Sequence, residues 1–319
     1  MIGVIGAGAF GTALAVVQAA AGRATLLWGR DPAAVAEIET HRENRARLPG
    51  VPLPEPLRIT ADLARLAGAE ILLLAVPAQA TGGFLAAHGG ELPDVPLVLC
   101  AKGIGAATLR LQTEIAAAAS PGHALAALTG PGFAGEIARD LPTALTLACG
   151  DATRGRALQA ALAAPRLRLY LTDDVTGAEL GGALKNVVAI ACGMVEGAGL
   201  GHSARAALMT RGFAEMSRLA VALGGRSETL AGLSGLGDLS LTCNSPQSRN
   251  FTLGRALGAG AARPGGTVEG VATARAACRL AEGRGVELPI SAAVAGVLEG
   301  ELTIAGAMEA LLSRPLREE

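Results

Sequence analysis

Residues 2–21 read IGVIGAGAFGTALAVVQAAA, and the fold follows from the change of rhythm inside them. Residues 2 to 5 are a short apolar run of strand character, and Thr12 to Ala21 form a helical run. Between them stand Gly6, Gly8 and Gly11 in the spacing GxGxxG. Glycines at those places permit a tight turn and close backbone approach, and the N-terminus of the following helix offers free amide hydrogens and a positive dipole end to a pyrophosphate. The spacing alone is weak. With a strand before it and a helix after it, it predicts a dinucleotide-binding turn rather than a turn that merely packs strand on helix.

Working outward, a second strand is expected at residues 24 to 28, ATLLW, ending in Gly29, Arg30 and Asp31. In such folds an acid at this strand end accepts the ribose hydroxyls of NAD, whereas an arginine pairs with the 2′-phosphate of NADP. Arg30 therefore favours NADP, and Asp31 leaves NAD open unless it only caps the next helix ahead of Pro32. Further strands are expected at 71–76, 97–101, 125–129 and 144–148. Runs that are apolar at every position predict strands buried on both faces, as in a parallel sheet, where ligands collect at the carboxyl ends. Those ends read Val76-Pro77, Lys102-Gly103 and Gly130-Pro131-Gly132-Phe133-Ala134. Lys102, directly after a buried strand, is a candidate for contact with substrate or cofactor.

Past Tyr170 and Thr172-Asp173-Asp174 the pattern turns helical, which predicts an α/β dinucleotide-binding domain over residues 1–174 and an all-helical domain over 175–319. Two long helices rich in small residues are expected at 176–197 and 203–224, with alanine and glycine faces suited to close helix packing or to a subunit interface. Within the first, residues 179–190 read ELGGALKNVVAI. Lys185 and Asn186 stand there in an otherwise small and apolar run, and a buried lysine is costly unless something answers it. On the second, His202 reads as a helix-cap neighbour and Glu215 as part of a solvated face. Two polar clusters interrupt the helices: GLSGLGD, residues 232–238, places Asp238 after a flexible glycine loop, and SPQSRN, residues 245–250, sets Ser248, Arg249 and Asn250 at a helix start. Arginine beside the free amides of a helix N-terminus is good anion-binding chemistry.

Composition narrows the function classes. The chain has 319 residues, half of them hydrophobic, with a net charge of -1, so two domains are expected and no basic stripe suggests nucleic acid. Five widely spaced cysteines carry no CxxC pair or histidine cluster, which predicts reduced, buried thiols and no metal site. A strand beginning at Ile2 leaves no room for a secretory leader, and glycines and charges interrupt each apolar run before it reaches membrane-spanning length. A cytoplasmic protein without a membrane span is expected.

Taken together, GAGAFGTALA, the strand-end AKG, GPGFA, ELGGALKNVVAI, MTRGFAEMSRL, GLGDLSLTC, SRN and VEG, in this order along essentially the whole chain, resemble the bacterial NAD(P)-dependent glycerol-3-phosphate dehydrogenases. The resemblance implies a Rossmann-type domain with a mostly parallel sheet, an all-α second domain, and interconversion of sn-glycerol 3-phosphate with dihydroxyacetone phosphate, mainly by reduction of the ketone for glycerophospholipid synthesis. It implies that Lys185 is the proton acceptor of the oxidative direction, and that Lys102, Gly130, Gly132, Lys185, Asp238, Ser248, Arg249 and Asn250 contact the phosphorylated substrate. Beside the glycines of the turn it places Ala9, Phe10, Arg30, Lys102, Ala134, Arg249, Thr267 and Glu269 at the cofactor. Gly132 stands where the family usually has threonine or serine, and Thr267 where valine is common. A homodimer through the helical domain is a further expectation.

The residue chemistry agrees with that reading. A cationic Lys185 stabilises the charge that develops on a ketone oxygen and donates its proton, and burial with a second cation such as Lys102 would favour the neutral form that the reverse reaction needs. Asp238 and Asn186 are candidates to hold the lysine, and Arg249 to grip a phosphate. A dehydrogenase for hydroxyacyl thioesters or sugar acids would favour a histidine base, and none of His41, His88, His123 and His202 sits in such a site. A non-catalytic NADP sensor would have no use for Lys185, Asp238 and Arg249.

Overall fold

The computed structural model describes residues 1–315 and divides into two compact units, one made of Met1–Lys102 and Leu111–Ala178, the other of Gly103–Arg110 and the chain from Glu179 onward. The expected domains, 1–174 and 175–319, differ from this division by the first turn of one helix and by the segment Gly103–Arg110, and residues 316–319 of the second lie outside the described residues.

The first unit is built on one eight-stranded sheet: β1 (Ile2–Ile5), β2 (Thr25–Trp28), β3 (Arg58–Thr60), β4 (Ile71–Leu74), β5 (Leu97–Leu99), β6 (Leu125–Thr129), β7 (Thr143–Ala148) and β8 (Leu167–Thr172), in the order 3-2-1-4-5-6-7-8. Its helices are α1 (Ala9–Ala20), α2 (Pro32–His41), α3 (Thr81–His88), α4 (Gln112–Ala119), α5 (Ala134–Ala138) and α6 (Ala152–Leu162). The sheet is buried on both sides because successive strand residues face opposite cores. Ile2 and Val4 pack on one face with Leu27, Ala13 and Leu158, and Ile5, Trp28 and Leu74 on the other with Leu85 and Ala116. β1 through β6 pair in parallel, and β2 and β4 flank β1 on opposite sides, which makes the carboxyl end of β1 the switch point where ligands collect.

Three strands depart from the sequence expectation. β7 runs antiparallel to β6, so its carboxyl end points away from those of β1 to β6. β8 extends the sheet through Tyr170, a stretch expected to close the domain without a strand; its LRLYLT alternates buried and exposed residues as an edge strand does. The three-residue β3 also gave no signal of its own.

The second unit holds α7 (Val175–Gly197), which begins within the first, then α8 (His202–Ala222), α9 (Ser227–Ala231), α10 (Asp238–Cys243), α11 (Arg249–Gly258), α12 (Glu269–Glu282), α13 (Pro289–Glu299) and α14 (Ile304–Leu312). α7 is the spine of this unit. Its small residues face backbone directly: a Cβ on Gly193 would lie 2.1 Å from the Phe251 carbonyl oxygen, and one on Gly197 2.1 Å from that of Arg255. In return, Gly254 and Gly258 of α11 lie equally close to the carbonyls of Ile190 and Met194. Two glycine pairs spaced four apart thus lock α7 against α11. Gly212 of α8 instead packs on a side chain, with Val188 Cγ1 2.6 Å from where its Cβ would stand. By length and composition α7 passes as apolar enough to cross a membrane, but glycines, Glu179 and Lys185 interrupt it as expected, and its most apolar window is wholly buried in the protein.

Glu215 overturns its sequence reading. It is 2% exposed, and its carboxylate accepts hydrogen bonds from the Ile290 amide at 2.6 Å, the Ser291 amide at 3.1 Å and the Ser291 hydroxyl at 3.2 Å, which caps the N-terminus of α13.

Candidate active site

In the first unit, the turn after β1 is shaped by its glycines. Gly6 has φ +114°, and a Cβ there would be 2.7 Å from the Ala75 carbonyl oxygen; a Cβ on Gly11 would be 2.0 Å from that of Gly6. Around the Cβ position of Gly8 there is open space. α1 begins earlier than expected, at Ala9, with Gly8 as an N-cap that offers no side chain, so the amides of Ala9 and Phe10 are presented at the helix mouth. These are the features that a pyrophosphate requires, and the turn fits a dinucleotide.

Lys102 leaves the end of β5, donates to the Gly130 carbonyl at 2.8 Å, and lies 5.9 Å from the centre of the Phe10 ring. Three expected site residues, Phe10, Lys102 and Gly130, are thereby brought together. Gly130 has φ +120°, and the backbone of β7 lies 3.2 Å from where its Cβ would stand. At Gly132 the space for a side chain is partly taken, with Ile137 Cδ1 2.9 Å and Leu145 Cδ2 3.2 Å from a Cβ. Ala134 opens α5. Thr129, next to Gly130, is 3% exposed, and its hydroxyl is the one buried side-chain oxygen without a hydrogen bond among the described residues. Arg30 is exposed, while the Asp31 carboxylate accepts from the amides of Ala33 and Ala34 and so caps α2.

In the second unit, Lys185 is buried and its ammonium is answered twice, by Asp238 Oδ1 at 2.9 Å and by the Thr242 hydroxyl at 2.8 Å. Thr242 in turn donates to Asp238 at 3.2 Å. Asp238 and Thr242 stand four apart on α10 and therefore share a face, which closes a triangle of cation, carboxylate and hydroxyl. The glycines before Asp238 do not form a flexible loop. Leu233–Gly237 is a single wide helical turn that runs straight into α10, and it packs so closely on α7 that a Cβ on Gly181 would be 2.6 Å from the Ser234 carbonyl oxygen. One turn of α7 further on stands Lys185, so the same contact fixes both partners of the ion pair. Thr242 was missed in the sequence, although the spacing DLSLT places it on the Asp238 face.

Near this triangle stand two buried thiols, Cys192 and Cys243. Cys243 is held well above its ordinary range by its hydrogen bond with Cys192 and then by burial.

Asn186 accepts from Asn250 at 2.9 Å, and Asn250 accepts from the Gly270 amide at 3.0 Å, next to Glu269 at the start of α12. Ser248 is the N-cap of α11, its hydroxyl accepting from the Phe251 amide at 3.2 Å. Arg249 and Thr267 are exposed. The glycine lock between α7 and α11 sets the position of residues 248–250 relative to Lys185.

Comparison with known proteins addresses the whole chain. The family model for the N-terminus of NAD-dependent glycerol-3-phosphate dehydrogenase matches residues 1–154, and that for its C-terminus matches residues 174–309. The chain belongs to this family. Among its relatives, the glycerol-3-phosphate dehydrogenase [NAD(P)+] of Paracoccus denitrificans is 59% identical over 321 residues, covering 100% of this chain and 99% of the relative. That of Caulobacter vibrioides is 52% identical over 325 residues, covering 100% of this chain and 98% of the relative. The crystal structure of glycerol-3-phosphate dehydrogenase from Coxiella burnetii, 37% identical, superposes with a TM-score of 0.93 over 98% of each chain. The Rossmann-type sheet and helical second unit are thus those of a glycerol-3-phosphate dehydrogenase.

Proposed function

We propose that this chain interconverts sn-glycerol 3-phosphate and dihydroxyacetone phosphate at the expense of NADP or NAD, that its main direction is ketone reduction for glycerophospholipid synthesis, and that Lys185 handles the proton. The observation that carries the assignment of Lys185 is its triangle with Asp238 and Thr242: a buried side-chain nitrogen held in place by a carboxylate and a hydroxyl. When bound, the reduced nicotinamide supplies the hydride that the ketone carbon receives. Lys185 stabilises the negative charge that then grows on the ketone oxygen and gives that oxygen a proton; in the reverse direction a neutral Lys185 takes the alcohol proton.

Lys102, Gly130, Gly132, Asp238, Ser248, Arg249 and Asn250 form the proposed substrate site. Arg249, exposed at the first position of α11, has the charge and the neighbouring amides to grip a phosphate, and that grip holds the ketone in register. Ser248 and Asn250 act through the N-terminus of α11 and the hydrogen bond to Asn186. Gly6, Gly8, Ala9, Phe10, Gly11, Arg30, Lys102, Ala134, Arg249, Thr267 and Glu269 form the proposed cofactor site. NADP is preferred over NAD, because Arg30 is exposed at the end of β2 while Asp31 is engaged in capping α2. The five free thiols fit a reducing, cytoplasmic setting. A homodimer through the helical unit completes the reading, and sedimentation would test it.

The direct test follows the reduced-nicotinamide absorbance while protein is mixed with dihydroxyacetone phosphate and NADPH or NADH. Consumption of both, faster with NADPH, is expected; no consumption of either would overturn the activity, and equal rates would overturn the role of Arg30. Lys185→Ala is expected to lower kcat by about 10²- to 10⁴-fold with the cofactor Kd unchanged, and a loss below about tenfold would remove Lys185 from the chemistry.

A further inference from the structure

The glycine turn is held from outside by a residue of a distant loop. Asn44 is 2% exposed, and its side-chain amide donates to the Ala7 carbonyl at 3.0 Å and to the Thr12 hydroxyl at 2.8 Å. A carbonyl oxygen only accepts, so the amide nitrogen must be the atom that faces Ala7. The donor is itself fixed. The Asn44 carbonyl accepts from the Leu48 amide at 2.7 Å, the Leu53 amide bonds the Arg42 carbonyl at 2.8 Å, and the Arg42 guanidinium closes on the carbonyls of Pro54 and Leu57. Leu48, Val51, Leu53 and Leu57 anchor the same loop in the core on the α1 side of the sheet.

The consequence follows from peptide geometry. In a planar trans peptide the C=O of one residue and the N–H of the next point in opposite directions. Asn44 holds the carbonyl of Ala7, and so it aims the amide hydrogen of Gly8 to the opposite side. That amide has no protein partner among the described residues, and the space around Gly8 is open. A rotated Ala7–Gly8 peptide would turn a carbonyl, rather than an amide, toward an incoming anion.

We propose that Asn44 is a positioning residue for the cofactor: by holding the Ala7 carbonyl it aims the Gly8 amide at the dinucleotide pyrophosphate. The inference rests on the dinucleotide reading of the glycine turn. Because NADPH and NADH share the pyrophosphate, the effect falls on both cofactors equally, unlike that of Arg30.

The test is a fluorescence titration of Asn44→Ala with NADPH and with NADH, beside steady-state kinetics. The Kd of both cofactors is expected to rise by the same factor, about tenfold for one lost buried hydrogen bond, with the KM for dihydroxyacetone phosphate at saturating NADPH unchanged. Thr12→Val, which keeps the bond to Ala7, is expected to lower Tm but leave both Kd values within about twofold of wild type. If the alanine variant is insoluble, Asn44→Asp keeps the shape, sets an oxygen against the Ala7 carbonyl and is expected to weaken both cofactors at least as much. A folded Asn44 variant with unchanged Kd, a rise confined to one cofactor, or an equal loss in Thr12→Val would overturn the proposal. Wild-type protein that binds neither nucleotide would overturn the cofactor reading with it, whereas binding without turnover would overturn the proposed activity and leave the role of Asn44 standing.

Discussion

The turn after β1 and the centre on α7 solve the same problem, the recognition of charge, with opposite materials. At the turn the chain offers backbone: glycines allow close approach, and the half-buried amides of a helix mouth lie beside the open space at Gly8. On α7 it offers side chains: a buried ammonium, a carboxylate and a hydroxyl, drawn together across 57 residues of sequence. A backbone site is cheap to keep empty, because its amides are only partly withdrawn from water. A buried side-chain site is not, since each charge there depends on its partner for solvation.

The strongest way to break this comparison is to remove one partner of the ion pair. Asp238→Asn leaves the Lys185 ammonium buried without its counter-charge, and the loss is expected to be about 3–5 kcal/mol of stability together with most of the turnover. Denaturant unfolding measures the first and the ketone-reduction assay the second. A variant as stable as wild type would mean that Thr242 and water suffice to solvate the lysine, and the contrast between the two sites would collapse.

Glycine-to-alanine changes sharpen the comparison with a smaller effect. At Gly254 the new methyl group meets the Ile190 carbonyl at 2.0 Å, backbone against backbone, so α11 must move away from α7. A loss of about 1–3 kcal/mol is expected, with the KM for the ketone raised because residues 248–250 shift relative to Lys185. At Gly8 the methyl group meets nothing in the protein, so Gly8→Ala is expected to leave Tm within a degree or two and to raise the cofactor Kd instead. Thermal melts and cofactor titrations on both variants decide the matter; a destabilised Gly8→Ala would show that the open space is not a ligand position.

The same contrast explains what the sequence disclosed. The glycine turn is local, so its spacing, with the strand and helix around it, was enough. The parallel core strands were legible because they are apolar throughout, whereas β8 was not, since an edge strand is apolar only at alternate positions. The reversal of β7 leaves no trace in composition, because direction is set by a connection and not by the strand itself. On α7, Lys185 and Asn186 stood out as polar residues in an apolar run, and Asp238 as a lone acid after glycines. What tied them was invisible: Thr242 looks like any helix threonine until Asp238 is known to lie on its face, and Asn250 meets Asn186 from 64 residues away. Glu215 misled for the converse reason, because its partners are backbone amides of another helix and no residue type announces them.

Glu215 also supplies the finest test, since it is a buried charge answered by backbone. Burial raises its carboxyl above the ordinary value of 4.5, outweighing the opposing hydrogen bonds from Ile290 and Ser291 and the attraction of Arg218. For an acid whose folded pKa is raised, the native state holds the proton more tightly than the unfolded chain does. The associated stability is complete below the unfolded value and is lost as pH rises through the folded one. The stability of wild type relative to Glu215→Gln should therefore decline as pH is raised from about 4.5, by about 1.4 kcal/mol for each unit by which burial has raised the carboxyl. Urea unfolding of the two proteins across that interval measures the slope. A difference that grows in favour of wild type would mean that the amides of α13 solvate the carboxylate better than water does. In that case the backbone would serve a buried charge as well as Asp238 serves Lys185, and the line drawn between the two kinds of site would have to be redrawn around geometry instead of material.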